Sequence, residues 1–176
     1  MKPHRSVRFH AKVVNMYTHG VKQKSALIFI LKGLIPYTRE NMMLAFKPNL
    51  FFNELEKISR YKRRTLEIAM REAEKQRLIE RDTKVIRLTE EGRKTVRPFV
   101  AKHLPNNAAL MVIFDIPEDM ATTRARFRRI LLSWNFKQMQ KSVWITSYDH
   151  KASVKELVAE LGIENYVEMY ESFPIR

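Results

Sequence analysis

Apolar residues recur along this chain at helical spacing in some segments and at strand spacing in others. Ala26 to Ile35 is mostly apolar and interrupted by Lys32, and the stretch from Ser25 to about Ala45 predicts one or two buried helices, separated or kinked near Gly33 and Pro36. Phe52 to Ile58 has the pattern of a short amphipathic helix. Ser59 then stands as an N-cap for a second helix whose Leu66, Ala69, Met70 and Ala73 fall at i, i+3, i+4 and i+7. Leu78 to Leu88 predicts two short strands joined at Asp82-Thr83. Thr89 opens a further helix, with its hydroxyl as cap and Glu90 and Glu91 near the positive end of the helix dipole.

Beyond residue 108 the pattern changes. Leu110 to Phe114 is a continuous apolar run ending at Asp115, as expected of a buried central strand. Thr122 or Thr123 starts a helix with Phe127, Ile130, Leu131 and Trp134 on one face. Phe136 to Ile145 is rich in strand formers and fits either one long bent strand or two short paired ones. Asp149 or Ser153 caps a second helix with Val154, Leu157, Val158 and Leu161 on one side, and Gly162 provides a left-handed stop. Tyr166 to Phe173 closes as a strand. The fold class expected is α+β, with the later part a small ferredoxin-like sandwich.

Charge sharpens this division. The chain has 33 Lys and Arg against 19 Asp and Glu, a net charge of +14. Residues 1–100 hold 23 of the cations and 10 of the acids, a net of +13, so the later part is nearly neutral. That balance favours a polyanionic partner for the first part. His103-Leu104-Pro105-Asn106-Asn107 lies where the charge character changes. The expected organisation is a basic arm at 1–24, a first domain at 25–100, a linker at 101–108 and a second domain at 109–176. No cysteine is present, which excludes disulfides, thiolate nucleophiles and cysteine-bound zinc. Gly20, Gly33, Gly92 and Gly162 are too far apart for a phosphate-cradling loop. His4, His10, His19, His103 and His150 never pair at ligand spacing, so no structural zinc is expected. No apolar run approaches the ~20 residues that cross a bilayer, and a cytoplasmic protein with no membrane partner is the expectation.

The candidate nucleic-acid contacts cluster on two predicted elements. Arg60, Lys62, Arg63, Arg64 and Arg71 gather towards the start of the helix after Ser59, with Arg81, Lys84 and Arg87 on the hairpin behind it. A recognition helix meets base edges with its amino-terminal residues, where Arg pairs bidentately with guanine and Lys meets phosphate. A charged helical face taken alone is more often only solvated surface. The order helix, turn, helix, hairpin, helix resembles a winged helix. Gln76-Arg77-Leu78-Ile79-Glu80-Arg81 and Ile86-Arg87-Leu88-Thr89-Glu90-Glu91-Gly92 resemble the corresponding strings of winged-helix transcription regulators. Arg77 stands where those families usually have glycine.

The second part carries a more specific resemblance. Val112-Ile113-Phe114-Asp115-Ile116-Pro117-Glu118, an Arg-rich helix and Gln140-Lys141-Ser142-Val143-Trp144 resemble the small CRISPR-associated ferredoxin-like nucleases of spacer adaptation. The same domain behind a winged helix occurs in the PaaX family of transcription repressors of phenylacetate degradation, which this chain resembles over roughly residues 25–176. That resemblance implies a sequence-specific, homodimeric regulator of duplex DNA, acting as a repressor, with an acyl-coenzyme A effector for which no pocket residues can be matched. It implies no enzyme and no cofactor. The nuclease resemblance implies an alternative, a metal-dependent endonuclease in which Asp115 of paired protomers holds Mg2+ or Mn2+ and activates water. An adaptor that holds other proteins through its second domain is a third reading. Without metal, Asp115 is expected to accept hydrogen bonds from the backbone amides of Ile116 to Met120. Arg124, Arg126, Arg128 and Arg129 are left facing phosphate, solvent or a partner subunit.

Overall fold

The computed structural model describes residues 25–35, 48–59, 61–81 and 86–173. These fall into two compact units, within Lys22–Val100 and Ala101–Arg176. The basic arm at 1–24, the predicted kink at Pro36 and the hairpin tip at Asp82-Thr83 lie outside the described residues.

In the first unit the order is α1 (Ala26–Gly33), α2 (Pro48–Ser59), α3 (Arg63–Lys75), strands β1 (Ile79–Arg81) and β2 (Ile86–Leu88), and α4 (Glu90–Val96). Ser25 caps α1 by accepting the Ile28 amide at 3.3 Å. Ile28, Ile30 and Leu31 of α1 are fully buried, as are Phe51 of α2 and Leu66 of α3, so the helices share one apolar core. The predicted stripe Leu66, Ala69, Met70 and Ala73 is the buried face of α3.

Ser59 does not cap α3. It is the last residue of α2, where its hydroxyl donates back to the Leu55 carbonyl and accepts the Tyr61 amide at 3.2 Å. The cap role passes to the preceding helix, because Glu56 Oε1 accepts the Arg63 amide at 3.2 Å. β1 and β2 pair antiparallel, with Ile79 opposite Leu88 and Arg81 opposite Ile86.

Helix α3 ends in a Schellman turn. The Leu78 amide donates to Ala73 O and the Arg77 amide to Glu74 O, both at 2.9 Å. Arg77 takes the left-handed position of that turn, at φ 56°. The glycine geometry is therefore kept by a residue with a side chain. Thr89 fastens α4 to the same turn: its amide donates to Leu78 O at 3.0 Å, and its hydroxyl donates to Arg77 O and accepts the Gly92 amide. Gly92 packs so closely there that a Cβ on it would lie 2.0 Å from Leu78 O.

The second unit contains β3 (Ala109–Phe114), α5 (Ala121–Ser133), β4 (Lys137–Gln140), β5 (Val143–Thr146), α6 (Lys151–Leu161) and β6 (Val167–Ser172). Phe136 to Ile145 thus holds two paired strands, with a register shift between Gln138 and Gln140. The sheet order is β4-β5-β3-β6, every neighbour antiparallel. This βαββαβ succession is ferredoxin-like, and the α+β class is as expected. β3 is central, but the run Leu110 to Phe114 is not buried on both faces: Leu110, Val112 and Phe114 are buried, and Met111 and Ile113 between them are half-buried. Phe114 meets Phe127 of α5 edge to face at 5.2 Å.

Two helix starts differ from expectation. Thr122 and Thr123 lie inside the first turn of α5, which follows a 3-10 turn at Glu118–Met120. Ser153 lies within α6, while Asp149 Oδ1 accepts the Lys151 amide at 3.3 Å just ahead of the helix. Gly162 stops α6 at φ 64°, with the Schellman pair of amides that Leu78 and Arg77 form in the first unit. Residues 101–108, expected as a linker, are hydrogen-bonded into this unit: Leu104 N donates to Ser147 O and Asp149 N to Lys102 O, both at 2.8 Å.

Candidate nucleic-acid interface

The physics of α3 is that of a two-faced rod. Opposite its buried stripe stand Arg64, Ile68, Arg71 and Lys75, spaced four, three and four residues apart and all exposed. Among the described residues Arg64, Arg71 and Lys75 have no intramolecular acidic partner. Ile68 is 54% exposed in their midst. Lys62, at the mouth of the helix, is likewise exposed and unpaired. The first amides of a helix and its positive end add to this field.

Other predicted contacts are engaged within the fold. The Arg63 guanidinium reaches Glu67 at 2.9 Å and lies 5.6 Å over the Phe52 ring, so it braces α3 against α2. Arg81 grips Glu74 of α3 at 2.7 Å and ties the ribbon to the helix. Arg87 is exposed on β2 opposite Glu80 in the register. Arg60 and Lys84 lie outside the described residues. Tyr61 meets Phe29 of α1 edge to face at 6.0 Å, a packing role. Sequence reasoning missed Ile68 and Lys75. Their signal was available in the spacing 64, 68, 71, 75, which is the exact complement of the buried 66, 69, 70, 73.

In the second unit Arg124 and Arg128 of α5 are engaged within the fold, while Arg129 is exposed. Arg124 donates to Ile116 O at 3.0 Å and pairs with Glu118 at 2.7 Å, pinning the turn between β3 and α5. Arg128 donates to Lys141 O at 2.9 Å and lies 5.5 Å over Phe114. Burial lowers the Arg126 pKa, and Glu160 opposes that shift.

Asp115 sits at the end of β3 on a cleft of about 450 Å³ that also receives Ser142, Asn165, Tyr166 and Glu168. Its backbone amide donates to Tyr166 O at 2.9 Å, and its carboxylate is exposed. The expected hydrogen bonds from Ile116 to Met120 are not formed; the Met120 amide instead closes the 3-10 turn on Pro117 O. A divalent cation needs several converging oxygens. Among the described residues no group of three or more His, Asp or Glu side chains converges, and Glu118 is held by Arg124. Among the described residues of one chain, the acidic donors beside Asp115 are therefore too few for such an ion.

His150 is buried between Trp134 and Phe136, with ring centroids 5.9 and 5.5 Å away. Burial depresses its pKa below the ordinary 6.5; the backbone of Trp134 and the charge of Asp149 act the other way.

Residues 107–174 match the family described as the PaaX protein central Cas2-like domain. The matched segment runs from before β3 through the end of β6. No curated protein and no solved structure matches the chain. No described helix is long and apolar enough to cross a membrane.

Proposed function

We propose that this chain is a sequence-specific DNA-binding transcription regulator of PaaX-like architecture, acting as a repressor. The first unit is read as a winged helix that places α3 in the major groove and the β1–β2 ribbon beside it. The observation that carries the reading is the outer face of α3, where Arg64, Arg71 and Lys75 are exposed without acidic partners, opposite the helix's buried stripe. The match of residues 107–174 to a PaaX domain supports it independently.

Pairing of two chains would present two such helices to a pseudo-palindromic site. A homodimer through the second unit is supported by β6, an edge strand among the described residues that carries exposed Tyr170, with Phe173 exposed just beyond it. A small-molecule effector belongs to the same proposal, with its identity open. Catalysis through Asp115 is the alternative that the test below separates from this reading; among the described residues of one chain no third acidic or histidine donor joins it.

The test is selection of bound duplexes from a random DNA pool by the full chain without metal, followed by incubation with magnesium or manganese. Enrichment of a two-fold related motif that stays intact is the expected result. Failure to enrich any motif, or cleavage abolished by Asp115→Asn, would contradict it.

A further inference from the structure

Ile68 is the one apolar residue on the outward face of α3. A β-branched side chain at an exposed helical position gains nothing from helix propensity and leaves apolar surface in water. Arg64 precedes it by four residues, Arg71 follows by three and Lys75 by seven, so it stands near the middle of a row of three cations about 16 Å long, bordered by Glu72, which accepts from Gln76. Its surface is 54% accessible. The flanking cations have the chemistry for phosphates and guanine edges; a branched hydrocarbon has chemistry for neither. The major groove offers one apolar group on a base edge, the 5-methyl of thymine.

We propose that Ile68 is a specificity-determining residue that packs against the 5-methyl group of a thymine in the bound duplex. This rests on the reading of α3 as the recognition helix. Arg64 and Arg71 then hold the helix in the groove from either side, and Ile68 contributes discrimination with little of the electrostatic affinity.

The experiment uses the full chain and the duplex enriched by selection. Each thymine is replaced in turn by deoxyuridine, which lacks only the methyl group, and binding is measured for the wild type and for Ile68→Ala. At one thymine per half-site the wild type is expected to lose about fourfold, the value of one buried methyl, and Ile68→Ala is expected to lose nothing further there. Because Ile68 is exposed and alanine favours helix, the variant keeps its fold, which its circular dichroism checks. No methyl-sensitive thymine, or one equally sensitive in Ile68→Ala, overturns the proposal while leaving DNA binding standing. If no duplex is enriched at all, the recognition-helix reading fails and this proposal fails with it.

Discussion

Helices α3 and α5 are both 13 residues long and both rich in arginine, yet their cations end in different places. By composition α5 is the more basic, with Arg124, Arg126, Arg128 and Arg129 and no acid, whereas α3 mixes its cations with Glu67, Glu72 and Glu74. In the fold, Arg124 and Arg128 are consumed by the carbonyls of Ile116 and Lys141 and by the Phe114 ring. Those of α3 divide: Arg63 is held by Glu67, while Arg64 and Arg71 face outward unpaired. Partnering, more than charge count, separates a surface that can meet a polyanion from one that holds its own turn together.

The contrast can be broken or sharpened by substitution. The largest effect is expected in the frame that carries α3. Gly92→Ala forces a Cβ against the Leu78 carbonyl and should destabilise the first unit by about 3 kcal/mol or more, read as a lower midpoint in urea unfolding. Next, Arg124→Ala removes a charged hydrogen bond to a backbone carbonyl and should lower stability by about 1–2 kcal/mol without changing DNA affinity. A smaller pair of changes compares the two helix stops. Arg77→Gly relieves a left-handed residue and should raise stability by about 1 kcal/mol, while Gly162→Ala introduces the same strain and should lower it by a similar amount; thermal melts of both variants check the pair.

The smallest effect is a pH slope in the second unit. The unfolded chain binds a proton at His150 near pH 6.5, and the folded chain only at lower pH because burial disfavours the imidazolium. Between those values the unfolded state holds more protons, so this contribution is fully present above about pH 6.5 and is lost as pH falls towards the folded pKa. Urea titrations from pH 7.5 to 5 should show stability falling on acidification, with a shallower slope in His150→Phe.

The periodic elements were legible in the sequence because burial imposes their spacing. Leu66, Ala69, Met70 and Ala73 mark the inner face of α3, and Phe127, Ile130 and Leu131 that of α5, wherever the helix ends fall. Helix starts were less legible. Caps at Ser25 and Thr89 follow the local rule, but α3 takes its cap from Glu56, seven residues away, and α5 begins from a 3-10 turn with no side-chain cap. The candidate site was half legible for the same reason. Arg63 and Arg81 look like Arg64 and Arg71 in sequence, and only the fold places Phe52 and Glu67 beside one and Glu74 beside the other. Ile68 was passed over because an exposed isoleucine reads as ordinary until its three flanking cations prove to share its face.

One measurement bears most directly on the central claim: the affinity of the full chain for its selected duplex after removal of two arginines from either helix. The account predicts that Arg64→Ala with Arg71→Ala loses about two to four orders of magnitude, as for two lost base contacts of ~1–3 kcal/mol each. Arg124→Ala with Arg128→Ala, measured where its circular dichroism is native, should stay within about twofold, in line with cations whose partners are internal. Equal losses from the two helices, or an unchanged affinity after removal of Arg64 and Arg71, would contradict it.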